Sequence, residues 1–208
     1  MYMVLKVLGI STSPRLKGNS DLLLREALAG AESAGAQIEY LRIADLNIAP
    51  CAECNCCYTT GRCRIQDDYP QVLQKILDAD RLIFATPVFF ATVCAQAKIL
   101  IDRGQCLWAN KYVLKKPLFE NGPRDRRALV IAVGGSKSKK QFENIRLTMK
   151  SYFDALDVRY IANLFVNKVD ARGAIMQHPS ALQEAFRLGK DLVAVETPPD
   201  KPVDIELI

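Results

Sequence analysis

Continuous apolar runs alternate with amphipathic stretches along this chain, and that alternation constrains the fold more than any other feature. β-type runs at 3–9 (MVLKVLG), 81–86 (RLIFAT), 127–133 (RALVIAV) and 158–166 (VRYIANLFV), with an alternating segment at 36–43 (AQIEYLRI), predict five strands. Helical spacing fills the intervals at 20–34, 69–79, 92–107, 139–155 and 180–195. Asn19 or Ser20 can cap the first helix, and Asp68 can cap the second ahead of Pro70. Strands separated by helices imply an α/β fold, with a parallel sheet covered on both faces. Right-handed crossovers leave few topologies, of which the doubly wound five-strand order 2-1-3-4-5 fits. Ligands of such sheets sit beyond the strand C-termini, at the switch between strands 1 and 3. The loops after Gly9, Ala85 and Val133 are therefore the expected functional ones. At about 150 residues per domain, 208 residues read as one domain over 1–196 with a Pro-rich, extended tail at 197–208.

Composition removes whole classes of function. Hydrophobic residues at 50% and charged residues at 25% exclude a disordered chain. The 28 basic residues are spread beside 23 acidic ones rather than gathered in a patch, so no nucleic-acid partner is expected. The longest apolar stretch, 82–101, contains Pro87, Gln96 and Lys98 and makes a poor membrane span. Lys6 interrupts the N-terminal apolar run too early for a signal-peptide core, which predicts a cytoplasmic protein whose thiols stay reduced. His178 is the only imidazole, which rules out a two-His metal site within one chain.

The loop after the first strand reads Gly9-Ile-Ser-Thr-Ser-Pro-Arg-Leu-Lys-Gly-Asn-Ser, and it leads into a helix N-terminus. Neither the Gly-x-Gly-x-x-Gly nor the Walker pattern is present. Free helix N–H groups with Ser11, Ser13, Asn19, Ser20, Arg15 and Lys17 suit a terminal phosphate monoester, although a plain polar turn has similar composition. After the third strand, Thr86-Pro-Val-Phe-Phe pairs a rigid Pro87 with Phe89 and Phe90. In an extended loop the two rings cannot face one core layer, so one can stack on a flat ligand; packing of both inside is the alternative. Lys98 and Asp102 have the spacing of a surface ion pair. Gly134-Gly135 can let backbone approach a ligand, or can simply form a turn.

Five of the seven cysteines lie between 51 and 63. Cys51, Cys54, Cys57 and Cys63 have C-x2-C-x2-C-x5-C spacing. Structural zinc favours two separated C-x2-C pairs, whereas this compact run matches thiolates around one [4Fe–4S] cubane. Cys56 is then surplus. A zinc site and a reduced, metal-free thiol loop are the alternatives. Buried packing is the expected role of Cys94 and Cys106.

With these loops placed, the chain resembles the iron–sulfur flavoprotein branch of the NADPH-dependent FMN reductase family over roughly residues 3–166. The resemblance rests on Gly9 to Arg15 with Gly18-Asn-Ser20, on the four-Cys spacing followed by Asp67-Asp68, on Thr86 to Phe90, and on Lys98-x3-Asp102-Arg103. It implies a flavodoxin-like fold and an FMN-dependent oxidoreductase. The family's phosphate loop maps onto Ser11, Ser13, Pro14, Arg15, Asn19 and Ser20. Its flavin-ring contacts map onto Pro87, Val88, Phe89, Phe90, Gly134 and Gly135. The family commonly has Tyr where Phe89 stands and Gly where Ala91 stands. A [4Fe–4S] cluster on Cys51, Cys54, Cys57 and Cys63 would lie near the flavin and exchange electrons with it. The resemblance further implies a homodimer or homotetramer, and a donor such as ferredoxin or NAD(P)H, which would stack on the flavin with Arg15 or Arg103 nearby. The acceptor would be a small molecule such as a quinone, O2 or a peroxide. No side chain is expected to act as acid, base or nucleophile. A cluster-free NAD(P)H:flavin or quinone reductase and a non-enzymatic thiol or metal redox sensor are the rival readings.

Overall fold

The computed structural model describes residues 4–207. Its main elements are β1 (Lys6–Ser11), α1 (Asn19–Ser33), β2 (Gln37–Arg42), α2 (Cys57–Thr60), α3 (Tyr69–Asp78), β3 (Arg81–Phe89), β4 (Thr92–Val93), α4 (Ala95–Arg103), α5 (Gln105–Trp108), β5 (Arg127–Val133), α6 (Glu143–Ala155), β6 (Arg159–Val166), α7 (Ala181–Ala194) and β7 (Val203–Leu207). The main sheet runs β2-β1-β3-β5-β6-β7, and every neighbouring pair in it is parallel. Its first five members follow the expected flavodoxin-like order 2-1-3-4-5.

The sheet departs from five strands at both ends of that expectation. The tail forms a sixth parallel strand, β7, against the outer edge of β6. The alternation of Val203-Asp-Ile-Glu-Leu207 explains it. Ile205 and Leu207 pack on the α1/α7 side of the sheet. Asp204 and Glu206 pair with Arg146 at 3.2 and 2.5 Å, and Glu206 also pairs with Lys139 at 3.1 Å. β3 continues through Pro87 to Phe89 and folds back as a short antiparallel hairpin with β4. The first strand starts at Lys6 rather than at residue 3, which lies outside the described residues, as do residues 1, 2 and 208. The helix expected over 92–107 is instead β4 followed by α4 and α5, which meet at Gly104.

The sheet separates two apolar layers. Leu8, Ile10, Phe84, Val130 and Phe165 face α3, α4 and α6. Val7, Ile83, Ile131 and Leu164 face α1 and α7. The last two helices meet through glycine: a Cβ on Gly189 would stand 1.8 Å from the Ala27 carbonyl oxygen, and one on Gly30 would stand 2.0 Å from that of Phe186. At the N-terminal end of the sheet, buried arginines satisfy helix C-terminal carbonyls. Arg126 donates to the carbonyls of Ala79 (2.9 Å), Leu156 (2.7 Å) and Ile76, and Arg81 donates to that of Leu192 (2.9 Å). Burial pushes the Arg126 guanidinium down to about 10. No helix among the described residues is long and apolar enough to cross a membrane.

Candidate functional site

Two separate concavities collect the chemistry-bearing residues. The first lies at the C-terminal ends of β1, β3 and β5. Thr12 pins the loop after β1 to β3, donating to the Ala85 carbonyl through its N–H (3.0 Å) and its hydroxyl (2.9 Å). The loop then turns tightly: Ser13 Oγ accepts from the Arg15 N–H at 3.2 Å, and the Gly18 N–H donates to the Arg15 carbonyl at 3.1 Å. The first backbone bond of α1 runs from the Leu22 N–H to the Gly18 carbonyl. Among the described residues, the N–H groups of Asn19, Ser20 and Asp21 therefore have no main-chain acceptor.

Ser13, Pro14, Arg15, Gly18, Asn19 and Ser20 line one side of a pocket of about 60 Å³, opposite Pro87, Val88, Phe89, Gly134 and Gly135. Val88 and Gly135 also border a wider, more open cleft of about 550 Å³ that reaches Phe90, Ser136 and Lys140. A small pocket with unpaired helix N–H groups fits a phosphate, and the adjoining cleft has room for a larger ring system. This arrangement fits FMN.

Individual residues sit differently from the expectation. Ser11 is buried and does not line the pocket: its side chain points to the α1 face of the sheet, and its Oγ has no hydrogen-bond partner. The Asn19 side chain is engaged by the loop after β6, donating to the Ala171 carbonyl (2.9 Å) and accepting from the Ile175 N–H (3.3 Å). That loop also brings Val169 and Asp170 into the pocket, a contribution that no local sequence pattern announced. Phe89 is half-exposed and Phe90 fully exposed, so neither ring packs in the core. Phe90 and Ala91 form the two-residue turn between β3 and β4, both left-handed with φ of 49° and 58°. Type I′ hairpins require this backbone, and it is why glycine suits position 91. The close contact at Gly134 is internal to the chain: a Cβ there would meet the Gln141 side chain at 2.3 Å.

The second concavity is built by the loop between β2 and α3. Its neck is closed by two adjacent carboxylates. Asp68 accepts from the Asn47 N–H at 2.7 Å. Asp67 accepts from the N–H groups of Ala49 (2.9 Å) and Tyr69 (3.0 Å), and its other partner is Arg103, at 2.5 and 3.1 Å. Burial opposes ionisation of Asp67, but Arg103 and the two N–H groups outweigh it and hold the carboxyl below its usual range. Arg103 is thus buried beneath the cysteine loop and is not available to a nicotinamide cofactor. Lys98 and Asp102 form the expected exposed ion pair at 2.7 Å.

Cys51, Cys54, Cys57 and Cys63 all line one cavity of about 490 Å³, walled opposite by Arg103, Cys106 and Tyr152. Cys56 does not line it, and its sulfur lies 3.8 Å from an Arg64 nitrogen. Burial pushes the Cys57 thiol up, and the nearby charges that add to the effect are those of Cys51, Cys63 and Cys54. The four thiols selected by spacing are therefore mutual neighbours. Among the described residues no three His, Cys, Asp or Glu side chains converge to metal-binding distance, so the thiols frame the cavity without closing on a centre. A soft, all-sulfur donor set around one cavity fits an iron–sulfur cluster, and it also accepts zinc. Cys94 and Cys106 are both buried, as expected, although Cys106 also reaches the cavity wall. The cavity abuts α4, α5 and α6 and shares no lining residue with the first pocket.

Comparisons with known proteins bear on family and fold. An iron-sulfur flavoprotein of Methanocaldococcus jannaschii is 45% identical over 103 residues, which cover 50% of this chain and 53% of that protein. The match thus spans about half the relative's length. An iron-sulfur flavoprotein of Methanosarcina thermophila is 31% identical over 142 residues, 68% of this chain and 70% of that one. Among solved structures, a flavone reductase superimposes with a TM-score of 0.69 at 21% identity, covering 95% of this chain and 66% of its own, which establishes a shared fold. The family pattern for NADPH-dependent FMN reductase matches residues 5–172, and the chain belongs to that family.

Proposed function

We propose that this chain is an electron-transfer flavoprotein that links FMN to a [4Fe–4S] cluster held by Cys51, Cys54, Cys57 and Cys63. The observation that carries the reading is the cavity lined by those four thiols and not by Cys56. Bound FMN exchanges one or two electrons and a cluster exchanges one, so together they connect hydride-type and single-electron carriers. The protein's part is placement. Ser13, Arg15, Ser20 and the first N–H groups of α1 hold the phosphate. Pro87, Val88, Phe89 and Phe90, with the backbone at Gly134 and Gly135, border the ring. Pro14 shapes the loop, while Asn19 ties it to the loop after β6. Asp67, Asp68 and Arg103 hold the cysteine loop closed.

NAD(P)H or a ferredoxin is the proposed donor and a small molecule the acceptor. Residues 1–196 form the flavin domain, with the cysteine loop at 46–68, and the chain works in the cytoplasm. A homodimer or homotetramer is the proposed assembly. Iron and acid-labile sulfide on anaerobically purified protein test the reading. About four of each per chain are expected. None after anaerobic reconstitution sinks it and leaves a cluster-free NAD(P)H:flavin or quinone reductase, the reading favoured by thiols that do not converge.

A further inference from the structure

Arg103 is fully buried, and two of its three nitrogens are hydrogen-bonded. Nη1 donates to the Ala49 carbonyl (2.8 Å) and to Asp67, and Nη2 donates to the other Asp67 oxygen (3.1 Å). The third nitrogen, Nε, is buried without a hydrogen-bond partner. A buried donor left without an acceptor is unfavourable, so an Nε–H unpaired beside two bonded nitrogens points to an acceptor that completes it. Arg103 and Cys63 line the same cavity. Burial opposes the charge on Arg103, yet Asp67 and the neighbouring Cys63 sulfur together outweigh it and hold the guanidinium above its usual range. No other side chain among the described residues takes up Nε.

We propose that Arg103 is a positioning residue for the sulfur centre: its Nε–H is held ready for the Cys63 thiolate, and it raises the reduction potential of the cluster that the four cysteines hold. The inference rests on the cluster reading above. Its direction follows from charge. A reduced cluster carries one more electron than an oxidised one, and a hydrogen bond to a ligating sulfur favours the more negative state. Asp67 already balances the guanidinium charge, so the hydrogen bond is the specific contribution. Lysine at 103 keeps a positive charge near Asp67 but has no counterpart of the Nε–H at the same depth.

The test compares anaerobically reconstituted wild type with Arg103→Lys, each assayed for iron, sulfide and FMN, by EPR-monitored redox titration. The expected result is a variant with the same iron content and FMN, in which the ratio of oxidised to reduced cluster at fixed poise rises about tenfold, a potential lower by about 59 mV. An unchanged potential at equal iron content overturns the proposal. If the variant does not hold iron, a measurement on the native arginine decides. With Arg64, which borders the cavity, replaced by lysine and all arginines labelled with 15N, the reduced cluster should show a 15N hyperfine coupling in pulsed EPR; its absence overturns the proposal. Wild type that takes up neither iron nor sulfide overturns the cluster reading itself, and this inference with it.

Discussion

Replacing Asp67 by alanine should be among the most damaging single changes outside the apolar core. The Asp67 side chain is 4% exposed and that of Arg103 is 0% exposed, so the pair is effectively removed from water. Its carboxylate takes two bonds from Arg103 and one each from the Ala49 and Tyr69 N–H groups, which tie both ends of the cysteine loop together. Alanine leaves a buried cation paired only with the Ala49 carbonyl and frees two loop N–H groups. Breaking a buried pair from one side costs about 3–5 kcal/mol. For a chain of this size, at about 2–4 °C per kcal/mol, melting should fall by roughly 6–20 °C. Urea and thermal denaturation of reduced, metal-free protein, followed by far-UV circular dichroism, measure this. The wild-type pair has a pH signature too. Its folded-state carboxyl is depressed below the usual value of about 3.9, so its stabilisation is complete above that value and is lost only as pH falls through the lower, folded value. Wild type should lose this contribution below about pH 4, and Asp67→Ala should not. A loss under about 1 kcal/mol at pH 7 would place the pair with exposed surface bridges and refute the role assigned to it.

Three further outcomes are expected. Gly189→Ala forces a methyl to within 1.8 Å of the Ala27 carbonyl oxygen and must separate α1 from α7; a loss of about 3 kcal/mol is expected in denaturant titration, and a change under 1 kcal/mol would contradict the helix contact. Ala91→Gly relieves a left-handed alanine worth about 1–2 kcal/mol and returns about 0.4–1 kcal/mol through unfolded-chain entropy, so the unfolding free energy from denaturant titration should rise by a net ~0.5–1 kcal/mol. Cys54→Ala should remove iron and leave FMN, whereas Cys56→Ser should keep both, as read by iron assay and flavin absorbance; iron retained without Cys54 would mean that the ligand set was chosen wrongly.

The strand and helix alternation, the sheet order and the grouping of four cysteines are all legible in the chain itself. Each is a local pattern: a strand buried on both faces must be apolar throughout, and ligand spacing within thirteen residues survives whatever the rest of the fold does. Even the tail carried its signal in Val203-Asp-Ile-Glu-Leu207, but an edge strand needs a neighbour. Only the folded position of β6 and the reach of Arg146 and Lys139 decide that this segment pairs. The same limit applies at both sites. Nothing near Asn19 reveals that the loop after β6, about 150 residues away, occupies its side chain. Nothing near Asp67 reveals that its partner is Arg103 rather than the nearby Arg64. Phe89 and Phe90 read as candidates for the core until the turn they enter is seen to point both rings outward. Periodicity belongs to a segment, while partnership belongs to the packing that brings distant segments together, and in this protein the cofactor loops are local but what holds them in place is not.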